Sequence, residues 1–317
     1  MPRILLAAGA VLLGVAVIVA LLLRNGSSDH GSSRATSVTV SIPARTTTTE
    51  PATTTTPPPP PPPPQAAAFS WDGAGVILVH PTQVDPEQLG TTLRTSGFDW
   101  IAVYLGGPGD PATPDADWLY RVKLTSGLPV GGWSVLGDDP AADAAHAADA
   151  VRQFDLAFYI ADAEAPLGFT QGINRSDSRY ARSHAFADAF RAAEPSLPAG
   201  VSSYCRPDEH DLDWSAWASA GFVFLPQAYV NDFGSKVAPA ACVLGAAKWF
   251  AAANVHPTVG SYAGARGIVA PATWVHLLAQ AHTTGFSIYP AEVGMTDQSW
   301  QTYADAIRTL GIAKKPG

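Results

Sequence analysis

The chain opens on twenty uncharged, apolar positions, Ile4 to Leu23, set between Arg3 and Arg24. A helix of that length spans roughly 30 Å, the hydrocarbon thickness of a bilayer. No clear small-x-small cleavage site follows, and no Cys for lipid attachment. The pattern therefore predicts an uncleaved transmembrane anchor over residues 1–24 in preference to a removed signal peptide. Residues 25–68 change to Ser, Thr, Ala and Pro and include eight consecutive prolines, Pro57 to Pro64. Such a run lacks free N–H groups and adopts polyproline II, about 25 Å long at roughly 3.1 Å per residue. A disordered Ser/Thr/Pro-rich linker is predicted here, a stalk that holds a domain away from a membrane.

From residue 75 onward, short apolar runs alternate with segments of helical period. Strands are predicted at 76–79, 100–104, 129–133, 157–161, 200–204, 222–225, 258–262 and 286–290. Between them lie Ala-rich or amphipathic stretches, with Asp139 and Thr296 standing where N-caps belong. Three of these stretches end in Gly-Phe just before a strand: Gly97-Phe98, Gly221-Phe222 and Gly285-Phe286. Glycine just past a helix end takes the left-handed conformation that closes it. Strands separated by helices imply parallel pairing through right-handed crossovers. Eight such units over residues 69–317 predict a single (β/α)8 barrel of the α/β class. An open doubly wound sheet is the alternative. The first strand lacks a following glycine-rich phosphate loop, which argues against its nucleotide-binding form.

Composition sharpens these boundaries. The 9 Trp, 9 Tyr and 12 Phe all lie at or after Phe69, so the first 68 residues cannot build a core. Arg3, Arg24, Arg34 and Arg45 against Asp29 and Glu50 leave those residues at +2, and the remainder of the −8 chain at −10. Only five lysines occur in the whole chain. That charge argues against nucleic acid as a partner. Two cysteines exclude a disulfide-dense scaffold and a four-cysteine zinc site. The sequence has no HExxH, CxxC or GxSxG, and no metal or cofactor is expected. Cys205 follows the fifth predicted strand and Cys242 begins the helix after the sixth. A disulfide between them is expected if the barrel lies in an oxidising, extracytoplasmic compartment.

In a (β/α)8 barrel the chemistry sits at the C-terminal ends of the strands. Those ends carry His80, Tyr104, Trp133, Asp162 with Glu164, Tyr204, Gln227, Tyr229, Tyr262 and Glu292. The predicted mouth is acidic and aromatic. Aromatic faces stack on sugar rings, and carboxylates serve as glycosidic acid and base. The segment FYIADAEAP, residues 158–166, is the most informative. Residues i and i+2 of a strand face the same side, so Asp162 and Glu164 both point into the mouth. Two close carboxyls push one pKa up, which suits a general acid at neutral pH. The competing reading makes either carboxylate a helix cap or the partner of a nearby Arg.

This fourth-strand Asp-x-Glu, the opening GV…SGFDWIAVYLGG pattern at 75–107 and the domain length resemble the glycoside hydrolase 25 (lysozyme-type muramidase) superfamily and related hydrolase-like domains of secreted bacterial proteins. The resemblance implies a TIM-like barrel. It also implies that Glu164 is the acid and that Asp162 supports the N-acetyl group or the intermediate. The family's further Asp on strand one has no counterpart, because Ile77 occupies that position. Two functions are therefore carried forward. One is a single-pass, membrane-tethered glycoside hydrolase acting on extracytoplasmic cell-wall polysaccharide. The other is a non-catalytic barrel that binds the same polymer.

Overall fold

The computed structural model describes residues 68–107, 115–164, 178–209 and 212–311. The predicted anchor, and the predicted linker up to residue 67, lie outside these residues. Among the described residues no helix is long and apolar enough to cross a membrane.

Eight strands, β1 (Gly73–Leu78), β2 (Trp100–Tyr104), β3 (Val130–Val135), β4 (Tyr159–Asp162), β5 (Ala199–Tyr204), β6 (Phe222–Gln227), β7 (Thr258–Gly260) and β8 (Gly285–Tyr289), close into a barrel in chain order. All pairings are parallel, and β1 closes on β8 with Gly73 opposite Gly285. Among the described residues the α-helices are α1 (Pro86–Ser96), α2 (Ala116–Ser126), α3 (Pro140–Phe154), α4 (Ser178–Ala193), α5 (Trp214–Ser219), α6 (Val230–Phe233), α7 (Pro239–Ala246), α8 (Pro271–Ala281), α9 (Ala291–Gly294) and α10 (Asp297–Leu310).

Period-two alternation divides each strand between two cores. Val76, Ile101, Val103, Val201, Phe224 and Ile288 point outward and pack under the helices. Ile77, Trp100, Ala102, Trp133, Phe158, Ile160, Val223 and Leu225 fill the lumen. The lumen's lower end is plugged by the residues that lead into β1. Phe69 stacks on Phe158 with centroids 4.1 Å apart, and Trp71 meets Trp100 edge-on at 5.8 Å. Small residues opposite large ones make room for these rings. A Cβ on Gly75 would lie 2.1 Å from the Trp100 ring, and one on Gly131 would lie 2.4 Å from Phe158.

Local signals set the helix ends. Asp85, Asp115, Asp139, Asp213 and Thr296 each accept a hydrogen bond from the first turn of α1, α2, α3, α5 and α10 respectively. Gly97 and Gly221 are left-handed, at φ 78° and 73°. The third Gly-Phe expectation is corrected. His282, at φ 51°, ends α8, while Gly285 already belongs to β8, where a Cβ would strike the Trp71 carbonyl at 2.3 Å. Strand edges also move. β1 starts three residues before the predicted Val76, because Gly73-Ala74-Gly75 carries little strand propensity and is kept small by Trp100 and Asp99. β7 ends at Gly260, which leaves Tyr262 in the following loop. Cys205 and Cys242 are joined, with Cα atoms 4.9 Å apart, and tie the exit of β5 to α7.

His256 lies against the plug at the start of β7, stacked near Trp71 at 6.4 Å and 1% exposed. Burial pushes its pKa down to about 4. The unfolded chain therefore takes up this proton near pH 6.5 and the folded chain does not. The neutral ring's contribution is complete above pH 6.5 and is lost as pH falls toward 4. It amounts to about 3 kcal/mol. His256→Phe should remove that dependence. In urea titrations at pH 7 and pH 4, the stability of wild type relative to the variant should drop by about that amount. Parallel behaviour of the two proteins would mean that His256 is protonated without cost.

Candidate active site

The chemistry-bearing residues collect at the upper end of the lumen because the strand period delivers them there. Tyr104, Asp162, Gln227 and Tyr289 continue the inward rows of β2, β4, β6 and β8. Glu164 lies two residues beyond Asp162. The Gln227 amide is the hub: its Nε2 donates to Asp162 Oδ1 at 3.2 Å, to Glu164 Oε1, and to Ser202 Oγ at 3.4 Å. Burial pushes Asp162 up to about 7, while hydrogen bonds to Ser202, Glu164 and Gln227 pull it back. Glu164 is raised well above the usual carboxylate range, first by burial and then by the Asp162 charge and hydrogen bond. The pair titrates as a unit, and because both carboxyls are raised it holds a shared proton to higher pH than an isolated carboxylate does.

An aromatic wall flanks this pair. Tyr104 and Trp133 lie 4.6 Å apart, Trp133 and Tyr289 5.9 Å, Tyr289 and Tyr229 5.8 Å, and Tyr229 and Tyr262 5.8 Å. Trp133 is fixed across the barrel by its indole N–H, which donates to the Leu78 carbonyl at 2.8 Å. Tyr262 is fixed by its hydroxyl, which donates to Asp232. Burial raises the pKa of Tyr229, Tyr262 and Tyr289, so all three hydroxyls remain neutral at physiological pH. The wall thus offers ring faces together with O–H groups that both donate and accept.

The remaining residues expected at the mouth have other engagements. Glu292 Oε1 accepts from the backbone N–H groups of Val79 and His80, both at 2.6 Å, which locks the exit of β8 to that of β1. His80 is held there through its backbone. Tyr204 stands at the end of β5 against Phe233, centroids 5.3 Å apart, beside the disulfide. Ile77 points into the lumen and packs in the same apolar cluster as Trp100 and Trp133. In the acidic run after β5, Asp208 and Glu209 pair with Arg206, and Asp213 caps α5. Among the described residues no group of three or more His, Cys, Asp or Glu side chains is arranged to hold a metal ion.

Tyr289 and Ser202 were not among the sequence candidates. Both were within reach of the pattern. In GFSIY the outward Phe286 and Ile288 leave Ser287 and Tyr289 facing in, and in AGVSSY the outward Val201 leaves Gly200 and Ser202 facing in. Asp232 carried no such signal, because it lies in a four-residue helix that only the tertiary fold brings under Tyr262.

No protein-family model matches the chain, and no curated protein does. Solved structures do resemble it. A class V chitinase from Nicotiana tobaccum superposes with a TM-score of 0.56 at 9% identity, covering 74% of this chain and 99% of that one. The catalytic domain of a hyperthermophilic chitinase from Pyrococcus furiosus gives 0.54 at 10% identity, covering 78% and 97%. A GH18 chitinase from Pseudoalteromonas aurantia gives 0.55 at 12% identity, covering 75% and 99%. Identities this low establish a shared barrel fold only.

Proposed function

We propose that the barrel is a glycoside hydrolase acting on N-acetylated cell-wall glycan, with Glu164 as proton donor. The observation that carries this reading is the proton-sharing pair, Asp162 and Glu164, bridged by Gln227 beside a wall of aromatic rings. Burial and a neighbouring carboxylate raise Glu164 well above the usual carboxylate range, the direction a general acid at neutral pH requires. Tyr104, Trp133 and Tyr289 supply faces for the sugar rings.

Asp162 ends β4 and Glu164 follows it two residues later, so the two carboxylates lie side by side. They are not placed on opposite faces of a sugar, as a separate nucleophile and acid would be. Glu292 Oε1 is held by two backbone N–H groups while Oε2 is buried without a partner among the described residues, and Asp232 is engaged by Tyr262 and the Ala265 N–H. This favours a substrate-assisted route, in which the acetamido oxygen of the sugar attacks its own anomeric carbon while Glu164 protonates the departing oxygen. Asp162 would accept from the acetamido N–H and stabilise the positive charge that develops there. Water then opens the intermediate, with Glu164 as the base.

The test is release of reducing ends from chitin oligomers and from cell-wall glycan, beside the same chitin oligomers after deacetylation. Hydrolysis of the acetylated chains, with at least about ten-fold slower cleavage of deacetylated ones, is expected. Equal cleavage of both would remove the substrate-assisted step. The non-catalytic reading draws on one observation. Ile77 fills with hydrocarbon the position where the resembling family carries a first-strand Asp. Retention of glycan on the protein with no cleavage would favour that reading. We also propose that the barrel lies outside the cytoplasm on a single-pass anchor. Protease treatment of intact cells should then release a fragment of nearly barrel size.

A further inference from the structure

Outside the mouth, the flank beside β5 and β6 carries a groove of about 440 Å³, whose lining includes Arg206, Lys236, Lys248, Leu244 and Trp249 and one acidic residue, Asp208. Its position follows from topology. Arg206 lies in the loop after β5 and Lys236 in the turn after β6, both at the barrel's functional end. From there the groove runs over α7. Lys236 lies 5.9 Å from the Tyr204 ring at the rim, and Lys248 lies 4.8 Å from the Trp249 ring. Leu244 between them is 78% exposed.

The charge here runs against that of the rest of the molecule. The portion after residue 68 carries −10 and only five lysines, yet two of them line this one groove. Arg206 is engaged by Asp208 at 3.2 Å and Glu209 at 3.3 Å. Among the described residues, neither Lys236 nor Lys248 forms an ion pair. Two cations with unused hydrogen-bond donors thus flank an apolar and aromatic floor. A neutral glycan would use the floor and leave both ammonium groups unmatched. A sugar ring bearing a carboxylate satisfies both parts: ring face on Trp249 and Leu244, carboxylate on lysine.

We propose that this groove is an accessory binding site for acidic glycan, seating a carboxylate-bearing sugar between Lys236 and Lys248. The site rests on the glycan-acting reading for its biological setting but not on catalysis, and its test is separate. With the full chain, affinity would be measured by calorimetry for oligogalacturonate, for a neutral chitin hexamer and for poly(glycerol phosphate). Wild type should bind oligogalacturonate, more weakly as salt rises. The double variant Lys236→Glu, Lys248→Glu should bind it at least about ten-fold more weakly, with unchanged thermal stability and unchanged chitin binding. Glu164→Gln should bind it as wild type does, whatever its hydrolytic activity. The proposal is overturned if the double variant binds oligogalacturonate like wild type, or if Glu164→Gln abolishes that binding and so places the ligand in the mouth. Binding of poly(glycerol phosphate) as tight as that of oligogalacturonate would also overturn it, since the groove would then read charge alone.

Discussion

Glu164→Gln should lower glycan hydrolysis by about 100- to 10,000-fold, the usual contribution of a positioned proton donor. The amide preserves size and hydrogen bonding to Gln227 but cannot release a proton to the leaving oxygen. Asp162→Asn should cost less, because in the proposed mechanism Asp162 orients and stabilises without protonating the leaving group. The pH profile gives a second readout. Burial and Asp162 raise Glu164, and the acid works only while protonated, so activity should fall as pH rises through the upper titration of the pair. A folding defect is separable from lost chemistry by the sign of the stability change. Carboxyls with raised folded-state pKa values favour the native state less as pH rises through that range. Removing either should therefore leave the protein as stable as wild type, or more stable, at pH 8. Cleavage by Glu164→Gln at the wild-type rate would take Glu164 out of the mechanism.

How much of this was legible in the sequence depends on which physical signal each feature used. Barrel strands announce themselves by apolar runs between helical segments, so all eight could be placed, and the inward direction of Asp162 and Glu164 followed from a period of two. The mismatches share one cause: the deciding partner is distant in sequence. Gly73 to Gly75 look like a loop until Trp100 and Asp99 are seen against them. Gly285 resembles a helix cap until the Trp71 carbonyl is found beside it. Glu292 has the residue type and place of a site carboxylate, yet its use as an acceptor for Val79 and His80 depends on closure of β8 onto β1. The pair of lysines on the flank was silent for the same reason, since only the docking of α7 beside the β5 exit gathers Lys236 and Lys248 into one groove.

The lower lumen should hold the barrel's stability, as the upper end holds the proposed site. Trp100→Ala is expected to destabilise the protein by about 3–5 kcal/mol, read as a lowered urea midpoint with unchanged slope. Trp100 is fully buried and touches Phe69, Trp71 and Phe158, with centroids 6.3, 5.8 and 5.2 Å away. Gly75 faces it with no side chain to fill the space left behind, so the walls cannot close over the cavity and the cost falls at the upper part of the usual range. Trp100→Phe separates volume from polarity. The indole N–H of Trp100 has no hydrogen-bond partner among the described residues. Phenylalanine keeps most of the ring contact and removes that unsatisfied donor, so its cost should stay below about 1.5 kcal/mol. A loss below about 1 kcal/mol for Trp100→Ala would mean that Phe69 and Trp71 move in to fill the space, and that the plug is mobile on the folded barrel.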